Sequence, residues 1–295
     1  MTSLRTLTVF TVSCIAALAG IAQEEFSVTH DVVYGHKAGM AFTYDVITPV
    51  EDANGVGLLY IVSGGWRSGW FSAEQGVSKS IRTKGRFGTL IDSGFTMFFV
   101  RHGSSPYFTV PEIIDDCRRA VRHIRMNATD YDIDPDRIGV FGASAGGHLS
   151  LLLATTGADG NPDADDPVDR VSSHVQAAVA YFPPVDLRGL VGPNEDYPSL
   201  NFDPDLADDM SPIVHVTPDD PPMLLIHGDK DELVPLSHSE RMHAALEGAN
   251  IPTNLIIIED AAHGFDGKQA RQAAAAQDEW FVEQLVGAGM KASAN

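Results

Sequence analysis

Ser144 stands at the centre of Gly142-Ala143-Ser144-Ala145-Gly146, directly after the apolar run Ile138–Phe141 and before a helix-like stretch, Ala145–Thr155. Glycines at this spacing suit a sharp strand-to-helix turn in which small neighbours leave the central hydroxyl exposed. The serine oxygen then sits at a helix N-terminus, where free N–H groups and the helix dipole favour developing negative charge. Nucleophilic attack on a carbonyl is the chemistry such a position can perform. An alcohol is a weak nucleophile, so it requires a base, and the base requires an orienting carboxylate.

In a parallel α/β sheet both partners belong beyond strand C-termini. His263, in Ala262-His263-Gly264-Phe265, follows the run Asn254–Glu259 by four residues. Asp231 follows Met223–His227 by four residues, and Asp229 shares its loop; Glu232, Glu259 and Asp260 are further carboxylates near such positions. Asp229 suits a turn residue that binds loop amides. His148, one helical turn after Ser144, and His227, at a strand end, read as structural because one base suffices. An oxyanion would be held by the amide of Ala145, which follows the nucleophile, together with amides of an early loop, Val62–Gly69, through Gly64 and Gly65.

At these residues the chain resembles the esterase/lipase branch of the α/β-hydrolases, near the secreted feruloyl and acetyl-xylan esterase-like group and the catalytic domains of prolyl oligopeptidases. The resemblance runs from about Asp31 to Val286 and includes Tyr131–Ile138, Ser211-Pro212, Asp219–Pro222 and His227–Pro235. It implies Asp231 as the acid and His263 as the base, and the chain order Ser144, Asp231, His263 is that of the family. The family commonly has His-Gly-Gly-Gly-Trp where this chain, aligned on Trp66, has Val62-Ser63-Gly64-Gly65-Trp66. That departure raises the question of whether Ser63 adds a donor or narrows the acyl site.

The elements that must position these groups are short apolar runs at Ser27–Tyr34, Ala41–Thr48, Val56–Val62, Phe95–Val100, Ile138–Phe141, Val175–Tyr181, Met223–His227 and Asn254–Glu259. Helix-like stretches at Val77–Asp92, Pro111–Asn127, Ala145–Thr155, Ser237–Glu247 and Gly267–Val286 alternate with most of them. Such alternation predicts βαβ units: a single α/β domain with a mostly parallel eight-stranded sheet covered by helices on both faces, the α/β-hydrolase fold. The first two runs alternate polar and apolar residues and suit an antiparallel edge. The irregular region from Gly157 to Pro222 is long enough to expect a function, and its second half, Pro184–Pro218, is expected to wall or cover a pocket.

Composition sets the outer limits. With 295 residues, 44% hydrophobic and 20% charged, the chain is globular rather than disordered or fibrous. Its 20 basic residues against 40 acidic ones give a net charge of −20, which disfavours nucleic acid and anionic membrane surfaces as partners. Residues 1–22 read as a secretory signal: Arg5, an apolar run from Leu7 to Ile21, and a small-residue site at Gly20-Ile21-Ala22. The mature domain is then 23–295, secreted or periplasmic, and the apolar run is too short for stable membrane insertion. Cys14 at a lipoprotein site is the alternative. Cys117, on the apolar face of a helix-like stretch, reads as buried and structural.

No H-E-x-x-H, C-x-x-C or phosphate-loop sequence is present, so neither a metal nor another cofactor is expected. Asp159, Asn161, Asp163 and Asp165 alternate as calcium loops do, but Ala164 and Arg170 occupy the glycine and final glutamate positions, so a solvated loop is expected. Trp66, Trp70, Phe71, Tyr107 and Phe108 cluster on loops near the proposed site; Trp66 and Tyr107 are the candidate substrate-binding residues, and core packing is the alternative. The expected activity is serine carboxylic-ester hydrolysis through an acyl-enzyme, on short-chain or aromatic esters, with acetyl or feruloyl esters of plant polysaccharide implied by the resemblance. A prolyl-oligopeptidase-type peptidase and a catalytically silent binding module are the rivals, the second requiring loss of a triad member.

Overall fold

A computed structural model describes residues 25–287; the expected signal segment lies outside the described residues. Eight strands form one sheet in the order β1-β2-β4-β3-β5-β6-β7-β8. β1 (Phe26–Lys37) and β2 (Met40–Pro49) make an antiparallel hairpin, and β2 pairs antiparallel with β4 (Thr96–Val100). Ala38 (φ 51°) and Gly39 (φ 77°) close the hairpin, the two successive positive φ angles that a tight two-residue turn requires. β3 (Gly57–Ile61), β5 (Ile138–Ala143), β6 (Ala177–Tyr181), β7 (Met223–Gly228) and β8 (Thr253–Ile258) complete the sheet in parallel.

Strand residues alternate between two buried layers, as the pleat demands. Leu59, Ile61 and Val140 face one layer with α3 (Val110–Met126), α4 (Ala145–Thr155) and α5 (Ser237–Gly248). Leu58, Phe141 and Val179 face the other, with α1 (Ala73–Thr83), α2 (Arg86–Asp92) and α6 (Gly267–Phe281). Burial on both faces explains why the central strands are continuous apolar runs. It also supplies the rigidity that holds their C-terminal loops in place.

The stretch Val77–Asp92 is two helices rather than one. Lys84 adopts φ 51° and Gly85 follows it, so the chain reverses, and Ser80 Oγ accepts the amides of Phe87 (3.0 Å) and Gly88 (2.9 Å) that the break exposes. α2 packs so closely that a Cβ on Gly88 would stand 2.6 Å from the Ile81 backbone. Apolar spacing runs through the break, which is why periodicity alone joins the two. Cys117 is fully buried on α3 and burial pushes its thiol pKa up, as suits a structural residue. Among the described residues no helix is long and apolar enough to cross a membrane.

Candidate active site

Ser144 is the residue between β5 and α4, with φ 54° and ψ −121°, an angle pair costly for a side-chain-bearing residue. The residues two positions to either side of it must be glycines. A Cβ on Gly142 would stand 2.4 Å from the Gly146 backbone, and one on Gly146 would stand 2.7 Å from the carbonyl oxygen of Ile61. The turn is pinned by Ser144 N–H donating to Tyr181 O at 2.9 Å. A strained serine is thereby fixed at the amino end of a buried helix.

The structure brings Ser144, His263 and Asp231 together from three separate loops. Ser144 Oγ lies 2.8 Å from His263 Nε2, and His263 Nδ1 lies 2.7 Å from Asp231 Oδ2. An ionised carboxylate only accepts, so Nδ1 carries the proton and Nε2 is free to take one from the serine hydroxyl. The other Asp231 oxygen accepts the amides of Leu233 (3.0 Å) and Val234 (2.9 Å), which hold the carboxylate in place. The Phe182 ring packs 4.5 Å from the His263 ring and limits its rotation. Asp229 stands apart: one oxygen lies 3.6 Å from Lys230 Nζ, and the other is buried without a partner among the described residues, instead of binding loop amides.

The proposed oxyanion donors divide. Gly65 and Ala145 line a cavity that ends on Ser144, whereas the Gly64 amide donates to Arg67 O at 3.0 Å within a tight turn. Gly64 is therefore corrected to a turn residue, its donor consumed by the reciprocal Gly64–Arg67 pair. Ser63 does not line this cavity, and its hydroxyl is buried without a partner among the described residues.

The cavity measures about 210 Å³ and is mostly apolar. Trp66 forms one side, its φ at 56° and its ring meeting Tyr197 edge to face at 6.1 Å. The indole N–H donates to His148 Nδ1 (3.3 Å), while His148 Nε2 donates to Met210 O (2.8 Å). His148 is thus a neutral strut, and full burial pushes its pKa down to about 4. Pro184, Leu190, Asn194, Tyr197 and Leu200 from the irregular region complete the wall with Leu233 and Val234. Sequence reasoning places a wall in this region but singles out none of these side chains. Leu233 and Val234 could be found from their nearness to Asp231; Tyr197 carries no such signal.

Tyr107 does not join the cavity at Ser144. It is 82% exposed and lines a separate hollow of about 410 Å³ with Met40, Ser68, Arg101 and His102. The acidic loop also stays apart. Asp166 pairs with Arg119 at 2.7 Å and Asn161 caps the amide of Asp163, and no cluster of three or more His, Cys, Asp or Glu among the described residues could hold a metal.

The sequence matches the family described as BD-FAE over residues 44–246. It is 32% identical over 188 residues to the esterase LipQ of Mycobacterium tuberculosis, covering 60% of this chain and 44% of that one. Across three mycobacterial relatives the chain spans 37–53% of their length, about half. A truncated carbohydrate esterase from gut microbiota superposes with a TM-score of 0.73 at 28% identity, covering 89% of this chain and 98% of that one. Esterase 2 of Thermogutta terrifontis, solved with propionate bound, shares the fold with a TM-score of 0.68 at 24% identity, covering 90% and 95%.

Proposed function

Because the chain belongs to the BD-FAE family of α/β-hydrolase esterases, we propose that it is an exported serine carboxylic-ester hydrolase that removes short acyl groups from plant-polysaccharide fragments. One observation carries this reading: the line Ser144 Oγ, His263 Nε2 and Nδ1, Asp231 Oδ2, at 2.8 and 2.7 Å, meets the end of a small apolar cavity. Ser144 attacks the ester carbonyl and His263 Nε2 takes its proton. The oxyanion that forms is held by the amides of Gly65 and Ala145. His263 then gives the proton to the departing alcohol, and water, deprotonated by the same nitrogen, releases the acid from Ser144.

Size narrows the acyl group. A cavity of about 210 Å³ is below the roughly 300–1,000 Å³ of drug-sized sites, which favours acetyl to butyryl over feruloyl. The alcohol must then lie outside. The hollow at Tyr107 is lined by the start of β2 and by the loop that follows β4, with β3 lying between β4 and the strand that carries Ser144. Its loop is tied to the Trp66 loop by Ser105 N–H to Trp66 O and Ser68 N–H to Ser104 Oγ, both 3.1 Å. The exposed rings of Tyr107 and Trp70 give a sugar ring an apolar face to cover, and Trp66 binds on the acyl side. Export rests on the signal-like residues 1–22 and on the extracellular location of such polymers.

The test compares p-nitrophenyl acetate, butyrate and octanoate as substrates of the protein and of Ser144→Ala. Acetate and butyrate turnover that vanishes with the substitution is expected. Octanoate preference would overturn the short-acyl assignment, and no ester turnover at all would overturn the esterase.

A further inference from the structure

His227, at the end of β7, is fully buried and is not part of the catalytic line, yet it touches the groups that hold it. Its Nε2 lies 2.8 Å from Val234 O and 3.3 Å from Asp231 Oδ2. Both neighbours accept, so Nε2 carries the proton; Nδ1, 2.7 Å from Ser239 Oγ on α5, accepts from that hydroxyl. Burial holds the His227 pKa below its ordinary value, and the ring is neutral near pH 7. The backbone of Val234 is thereby held on both sides of its Cα. Its N–H donates to Asp231 Oδ1 and its carbonyl accepts from His227. Leu233 and Val234 also wall the acyl cavity, so one short loop carries the acid and part of the pocket.

We propose that His227 is a positioning residue for hydrolysis: by clamping Val234 O and presenting its Nε2–H to Asp231 Oδ2, it fixes the acid and the Leu233–Val234 wall together. This rests on the ester-hydrolase reading of the site. The charged and titratable groups around it are Asp231 and His263 on the site loops and His238 on α5, itself beside Arg241 and Asp186; the residue after β6, Phe182, presents its ring. Removing the positive N–H edge leaves Oδ2 more negative. An imidazolium at His263 is then held more tightly, and deprotonation of the base moves to higher pH.

Glutamine places an amide N–H near the position of Nε2, whereas asparagine reaches only the Ser239 side. The full chain is compared as His227→Gln and His227→Asn, with the unaltered protein as reference. Proton NMR follows the downfield Nδ1–H signal between His263 and Asp231 through a pH titration, alongside kcat and KM for p-nitrophenyl acetate and butyrate. The expected result for His227→Asn is a titration midpoint raised by about half a unit or more, a kcat lowered about tenfold, and an altered acetate-to-butyrate KM ratio. In His227→Gln all three return towards the reference. An unmoved midpoint in His227→Asn, or equal midpoints in the two variants, overturns the proposal. A moved midpoint in a protein that hydrolyses no ester would overturn the esterase reading and leave the positioning role standing.

Discussion

The Tyr197 ring stands where a side chain on Gly65 would have to go: a Cβ there would lie 3.1 Å from Tyr197 Cε1, and Gly65 already holds φ 56°. A cavity wall and the proposed oxyanion donor are therefore packed against each other. Gly65→Ala is expected to displace the amide and lower kcat by about 100-fold, in the range of losing one such donor. Tyr197→Ala instead widens the pocket, so the ratio of kcat/KM for octanoate over acetate should rise. Steady-state kinetics on the p-nitrophenyl series checks both.

Trp70 and Tyr107 are expected to matter only when the alcohol is a sugar. In the double variant Trp70→Ala/Tyr107→Ala, kcat/KM on acetylated xylo-oligosaccharides should fall about tenfold or more, as the loss of two ring contacts implies. Turnover of p-nitrophenyl acetate should stay within about twofold of the reference, since neither ring lines the acyl cavity. Equal losses on both substrates would show that the rings support the fold.

Acid should weaken the folded state through His148 and His102. Both are buried, and burial lowers each pKa from 6.5 to about 4. Between those values the unfolded chain takes up protons that the folded one refuses. Their contribution to stability is complete above 6.5 and is lost as pH falls towards 4, at about 1.4 kcal/mol per pH unit for each histidine. Protonating His148 also deprives the Trp66 indole of its acceptor. Urea unfolding followed from about pH 7 to about pH 4 should show the slope, and His148→Gln should reduce it.

Ser63→Ala removes a buried hydroxyl that has no partner among the described residues. A gain of about 1 kcal/mol in stability is expected, because the unpaired group costs about that much to bury. Rate and acyl-chain preference should stay unchanged, as Ser63 lies off the cavity. Thermal unfolding with parallel kinetics decides whether the hydroxyl serves the oxyanion.

The fold was legible wherever the physics is local. Alternation in the first two runs marks the antiparallel hairpin, and the central apolar runs mark strands buried on both faces. The meeting of Ser144, Asp231 and His263 was legible because the strand-to-helix turn needs Gly142 and Gly146, and because loops after parallel strands must carry the partners. The break at Lys84 escaped notice, since left-handed backbone at a lysine leaves no trace in apolar spacing. The engaged amide of Gly64 escaped for a similar reason: a glycine's presence does not say where its N–H points. Tyr107 and Tyr197 look alike in sequence; only the long path between β6 and β7 brings the second to Ser144.

That path has a kinetic corollary. Val185, Leu187, Leu200 and Met210 bury themselves in the core layer shared with α4, while Pro184, Tyr197 and Asn194 from the same stretch form the cavity wall. A flap that swings aside on meeting a lipid droplet would have to pull those four side chains out of the core. Interfacial activation therefore finds no loose flap in this stretch, and the rate on a soluble short-chain ester should saturate smoothly, without a jump where the substrate begins to form micelles.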